Sequence, residues 1–231
     1  MMDLERVSGL PLKYEEDKLI TKTRSLIIPK PDIRTFAQAK PFLMDPDNTK
    51  RKEFYYMYRN IRFRKNEAIL KRYKLRYDIT VIPSGLNGKE FNKTVGHLHK
   101  FVRGTKTTYT EVYEVLYGEA LFFLQKIMNN KTKEAIAYHA KAGDHVVVPP
   151  NHAHITINPS KKPLIVANWM CTSSRSDYGP IKKKKGGIYY ATKAKNKVKF
   201  IKNDDYREKI TVKRRKARDY PQFNIRKRQP M

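Results

Sequence analysis

Three of the six histidines in this 231-residue chain, together with one glutamate, carry types and spacings suited to a metal centre. His97 and His99 stand two apart in GHLH. In an extended strand such side chains share a face, so both imidazoles aim to one side. Glu111 follows after an eleven-residue connection, KFVRGTKTTYT, whose Gly104 suits the tip of a hairpin. A strand returning antiparallel from that hairpin brings the carboxylate beside the histidine pair. His154 follows GDHVVVPP on a separate strand and is the fourth candidate. Three imidazole nitrogens and one carboxylate oxygen suit Fe, Mn, Ni, Co or Zn, and an octahedral ion among them keeps positions open for water or substrate. The chemistry of such a centre is to polarise substrate oxygens and steady developing negative charge. An HxH pair alone is as readily structural, so the surrounding elements decide its weight.

Those elements are short and β-like. LRYDITVIP alternates from Leu75 onward, and PSGLNGKE supplies turn residues. FNKTVGHLHKF, YTEVYEVLYG, EALFFLQKIM, EAIAYHAKAGDHVVVPP, HAHITINPS and PLIVANWMC follow, separated by Gly, Pro, Asn and Lys turns. No long helix interrupts them, which predicts an all-β barrel or sandwich over residues 75–181. Residues 1–74 read as an arm with short strands, punctuated by Pro11, Pro29, Pro31, Pro41 and Pro46, and then a packing element. Within it Phe54, Met57, Tyr58 and Ile61 follow helical spacing while YYMYRNIRFR also alternates, so helix and strand both stand open there. IYYAT and KVKFI predict accessory strands within 182–206, and 207–231 reads as a basic tail of doubtful order.

Composition bounds the function classes. Thirty-nine per cent hydrophobic residues support one real core, and no apolar run approaches the ~18 residues that cross a bilayer. The start, MMDLERVSGLPLKYEED, lacks the pattern of a signal peptide, and the single Cys171 permits no internal disulfide, so a cytoplasmic protein is expected. Fifty Lys and Arg against 22 Asp and Glu give a net charge of +28. Residues 182–231 hold nineteen of those bases and four of the acids, so over half of the excess lies in the last fifty residues. A field of this sign draws anions, whether nucleic acid, anionic lipid or phosphorylated metabolites.

Two further intervals give the histidines their context. Six residues separate Glu111 from Gly118 in EVYEVLYG, and five separate Gly143 from Pro149, followed by His154 and Asn158. These intervals resemble the two signature motifs of the cupin superfamily. TVGHLHKF, TEVYEVLYG, GDHVVVPPNHAHITIN and SDYGPI together resemble the archaeal cupin-type glucose-6-phosphate isomerases over roughly residues 75–206. The resemblance implies an all-β cupin (double-stranded β-helix, or jelly-roll) barrel, to which the sequence adds an N-terminal arm and a basic C-terminal extension. It implies one divalent metal on His97, His99, Glu111 and His154, with Fe(II) favoured, and Glu111 as the catalytic base. Substrate contacts are implied for Thr80, Thr94, Gly96, Tyr113 and Tyr178. The implied reaction interconverts glucose 6-phosphate and fructose 6-phosphate in glycolysis and gluconeogenesis, by a cis-enediol or a hydride shift, in a homodimer.

Three departures bear on substrate identity: the longer connection before Glu111, His152 where the family usually has an aromatic, and the basic tail after Tyr206. Two other classes stand beside the isomerase. One is a non-catalytic metal- or sugar-binding cupin that holds nucleic acid through its tail. The other is a cupin dioxygenase using the same ligand set with O₂.

Overall fold

The computed structural model describes residues 1–195, 197–223, 225–226 and 230. The strands that build the barrel and its covering are β1 (Asp32–Thr35), β2 (Glu53–Tyr58), β3 (Leu75–Ile82), β4 (Leu98–His99), β5 (Glu111–Tyr117), β6 (Glu119–Met128), β7 (Lys131–Lys141), β8 (His145–Val148), β9 (His152–Ile157), β10 (Leu164–Cys171), β11 (Ser176–Asp177), β12 (Tyr189–Ala194), β13 (Lys197–Lys202) and β14 (Val212–Lys216). They form a six-stranded antiparallel sheet in the order β8-β5-β10-β3-β2-β1, facing a four-stranded sheet in the order β9-β6-β7-β14. From β7 to β10 successive strands alternate between the two sheets, which is the jelly-roll pattern the resemblance implies.

Alternation along each strand sorts side chains into three apolar layers. Ala120, Phe122 and Leu124 of β6 meet Val115, Val146, Val148, Leu164 and Val166 inside the barrel. Leu121 and Phe123 face outward onto Ile155, Ile157 and the covering residues Phe91, Ile188, Ala191 and Tyr206. On the opposite side Ile79, Val81, Leu116, Ile165 and Ala167 are covered by Leu4, Leu12, Tyr14, Leu19 and Leu26 of the N-terminal segment. The central strands β3, β5, β6, β9 and β10 are therefore buried on both faces for most of their length, whereas β7 alternates between buried and exposed residues and the edge strands β1 and β14 stay largely exposed.

Gly118 marks the corner where β5 leaves one sheet and β6 enters the other. Its φ is +83°, and a Cβ there would lie 2.6 Å from the Pro163 carbonyl oxygen, so only glycine fits without displacing the chain.

The open choice at 50–74 resolves by position. Residues 53–58 form strand β2, because β1 and β3 supply ladder partners on both edges. A helix, α1 (Glu67–Tyr73), lies beyond it, with Glu67 in its first turn and Lys71 and Arg72 in its last, complementing the helix dipole. Its Lys74 cap is left-handed at φ +54° and returns its N–H to the Leu70 carbonyl. Among the described residues no helix is long and apolar enough to cross a membrane.

Candidate metal and substrate site

The four candidate ligands come from three segments of the chain that pairing brings together. His97 and His154 are bridge partners: the His97 N–H donates to the His154 carbonyl at 3.3 Å and the reverse bond is 3.0 Å. His99 lies on β4, Glu111 opens β5 opposite Val148, and His154 lies on β9. Their ligand atoms all lie within 4.8 Å of one another.

Gly96 makes the His97 to His154 contact possible. At φ +77° a Cβ on residue 96 would stand 2.5 Å from Ile155 Cγ1 and 3.3 Å from the His154 carbonyl oxygen. The long connection before Glu111 does not shift the register. It folds into its own hairpin, with Phe101 bridged to Thr108 and the Val102 N–H donating to the Thr107 carbonyl at 2.8 Å. Thr108 and Asn151 then exchange two hydrogen bonds, of 2.6 and 3.1 Å, that pin its base.

The donor set fits a divalent cation. His99 Nδ1 lies 2.9 Å from the Tyr109 carbonyl oxygen, an acceptor, so Nδ1 carries the hydrogen and Nε2 presents a lone pair. That Nε2 faces Glu111 Oε2 at 3.3 Å, and His154 Nε2 faces the same oxygen at 3.2 Å. His99 Nε2 and Glu111 Oε2 are buried and have no hydrogen-bond partner. Buried acceptors aimed at each other require a cation or a proton between them.

Electrostatics agree with this. Burial pushes the Glu111 carboxyl up, but the His154 and His99 rings that face it outweigh this and hold the group well below the usual carboxylate range. Burial and then the neighbouring His154 and His99 rings keep His97 neutral, well below the ordinary histidine value. Burial, reinforced by the Glu111 charge, raises Tyr113 well above the ordinary tyrosine value, so it stays a donor. Its hydroxyl lies 3.3 Å from His154 Nε2.

Thr80, Thr94, Gly96, His97, Glu111, Tyr113, His154 and Tyr178 all line one pocket, with His99 buried behind Glu111. The Thr94 hydroxyl oxygen accepts the Thr156 N–H at 2.9 Å, which leaves its own hydrogen free to donate. The Tyr178 hydroxyl accepts from Arg34 Nη2 at 3.3 Å, and its ring stands 5.5 Å from that of His97. His152 is not among the lining residues; its Nδ1 bonds the Pro150 carbonyl at 2.8 Å and its Nε2 lies 3.9 Å from Glu134.

Sequence reasoning missed Tyr55, Arg59, Asp78 and Asn168, which also line the pocket, and Arg34 behind Tyr178. A usable signal was present. Tyr55, Met57 and Arg59 recur at a spacing of two, as do Asp78 and Thr80, so a strand reading of both segments puts each set on one face.

A family model described as glucose-6-phosphate isomerase (GPI) matches residues 33–209. No curated protein matches the chain. Solved structures that it resembles include vicilin from Corylus avellana, at 15% identity over 53% of this chain and 32% of that one with a TM-score of 0.40. An oxalate oxidase in complex with the substrate analogue glycolate matches at 16% identity over 48% and 49% with a TM-score of 0.38. The oxalate decarboxylase of Lactobacillus farciminis, in its formate complex, matches at 18% identity over 55% and 32% with a TM-score of 0.39. The chain spans about a third to a half of the length of these solved chains.

Proposed function

The chain belongs to the glucose-6-phosphate isomerase family, and from that premise we propose that it is a metal-dependent aldose-ketose isomerase interconverting glucose 6-phosphate and fructose 6-phosphate. The observation that carries the reading is the convergence of His97, His99, Glu111 and His154 on the pocket, with buried lone pairs facing one another. A divalent ion held by these four side chains supplies the electrophile that polarises the sugar's carbonyl and hydroxyl oxygens.

The chain's own residues do the rest. Glu111, ionised, takes the proton from C2 of the open-chain aldose and returns it to C1 by way of a cis-enediol. Tyr113, kept protonated, donates to the oxygen on which charge develops. The Thr80 and Thr94 hydroxyls and the Gly96 amide bind the phosphate end, and Tyr178 closes the rim. The pocket is narrow, about 60 Å³, so a hexose phosphate enters by displacing rim side chains.

Fe(II) is the proposed native metal, with Mn, Ni, Co and Zn as substitutes, and the proposed setting is a cytoplasmic homodimer in glycolysis and gluconeogenesis. The basic residues beyond Tyr206 are proposed to hold nucleic acid electrostatically. The deciding experiment is a coupled assay of fructose 6-phosphate conversion with each of the five metals, in the absence of oxygen. Turnover that chelation abolishes is expected. No turnover with any of the five sinks the isomerase, and a strict requirement for oxygen replaces it with dioxygenase chemistry.

A further inference from the structure

We propose that Arg59 receives the phosphate of the sugar phosphate by exchanging its partner Asp32 for the ligand, an inference that rests on the sugar-phosphate reading above. Arg59 is the single Lys or Arg among the residues lining the pocket, which also contains the carboxylates of Asp78 and Glu111. A phosphate dianion entering beside two carboxylates needs a permanent cation, and a guanidinium supplies both the charge and a two-pronged donor.

Arg59 is held loosely. Its Nε donates to Asp32 Oδ2 at 2.9 Å, but the Asp32 side chain is 66% exposed, so water and salt screen the pair. Its Nη1 stands 3.5 Å from Asp78 Oδ2, the long edge of an ion pair. Its Nη2 points at Met57 Sδ at 3.2 Å, and a thioether is a weak acceptor.

Release of Arg59 leaves no buried charge behind. Asp78 is 3% exposed, yet Arg76 reaches its Oδ2 with Nε at 3.0 Å and Nη2 at 2.9 Å, and the Asn60 N–H donates to its Oδ1 at 2.8 Å. That Arg76 Nη2 also lies 2.9 Å from Met170 Sδ, and both methionines line the pocket. Two guanidinium groups thus each point an N–H toward sulfur at the pocket wall, where phosphate oxygens are far stronger acceptors. Arg76 stays on Asp78 as the standing counter-ion while Arg59 moves.

Direct binding of glucitol 6-phosphate and of glucitol, neither of which has a carbonyl to isomerise, tests this in the full-length metal-loaded protein by calorimetry. Arg59→Gln is expected to weaken glucitol 6-phosphate by about 10- to 100-fold, the loss of a charged hydrogen bond, and to leave glucitol unchanged. Arg59→Lys falls between wild type and Arg59→Gln. Asp32→Asn, at an exposed position, frees Arg59 and tightens glucitol 6-phosphate by at least about twofold. A merely structural role for Arg59 does not produce opposite signs in Arg59→Gln and Asp32→Asn.

Equal affinities in wild type and Arg59→Gln overturn the proposal, as do shifts of the same sign in both variants, or no preference of the wild type for glucitol 6-phosphate over glucitol. If the binding results hold while the wild type shows no isomerase turnover, the isomerase reading fails and the phosphate role of Arg59 stands.

Discussion

At the scale of single residues, the decisive group is His99. Burial lowers its basicity, but the Glu111 carboxylate 3.3 Å from its Nε2 outweighs this and raises it above the ordinary histidine value of 6.5. A proton and a metal compete for the same Nε2. As pH falls the metal-free site protonates at His99 while His97 stays neutral, so metal affinity declines on passing from mildly alkaline to mildly acidic buffer. A chelator-competition titration across that span checks this; a flat profile contradicts it. His99→Ala removes a candidate ligand whose second nitrogen is already fixed by Tyr109, and bound metal should drop below stoichiometric by elemental analysis. Glu111→Gln keeps an oxygen donor and removes the proposed base, so it is expected to reduce kcat by about 10²- to 10⁴-fold. His97, His99 and His154 were legible as residue types at strand spacing. The tautomer of His99 was not, because the carbonyl that sets it belongs to Tyr109, ten residues away on the far limb of a hairpin.

At the scale of elements, Gly96 and the hairpin after His99 hold the candidate ligands in register. Gly96→Ala forces a Cβ at φ +77° against Ile155 and the β9 backbone, at a cost of about 1–3 kcal/mol. It is expected to lower both thermal stability and metal content, and unchanged values of both would show that the two segments can separate without consequence. The strands themselves were readable from alternation and turn residues. Residues 53–58 were not, since YYMYRNIRFR satisfies two periods equally and only pairing with β1 and β3 selects the strand. The same ambiguity hid Arg59, whose place beside the pocket depends on that choice.

At the scale of the whole molecule, the basic extension is built into the fold for part of its length. β14 pairs in parallel with β7, Ala217 is buried with the barrel core, and the Tyr220 hydroxyl accepts the Val147 N–H at 3.3 Å. Truncation after Tyr206 is therefore expected to lower Tm, by about 2–4 °C for each kcal/mol lost, as well as to weaken any salt-dependent retention on RNA. An unchanged Tm would mean that these contacts contribute nothing. Lys213, Arg214, Arg215 and Lys216 give this strand too little apolar alternation to be recognised alone; its partner strand supplies the ladder. Strand period, turn glycines and histidine spacing are local properties, so the all-β class, the candidate ligand types and the family likeness are legible along the chain. Packing sets Glu111 opposite Val148 after the long connection, brings Tyr55, Met57 and Arg59 of the N-terminal third to the pocket, and stands Arg59 between Asp32 and Asp78. Those outcomes depend on which distant segments share an edge or a charge, and contacts between distant segments are fixed by packing rather than by spacing along the chain.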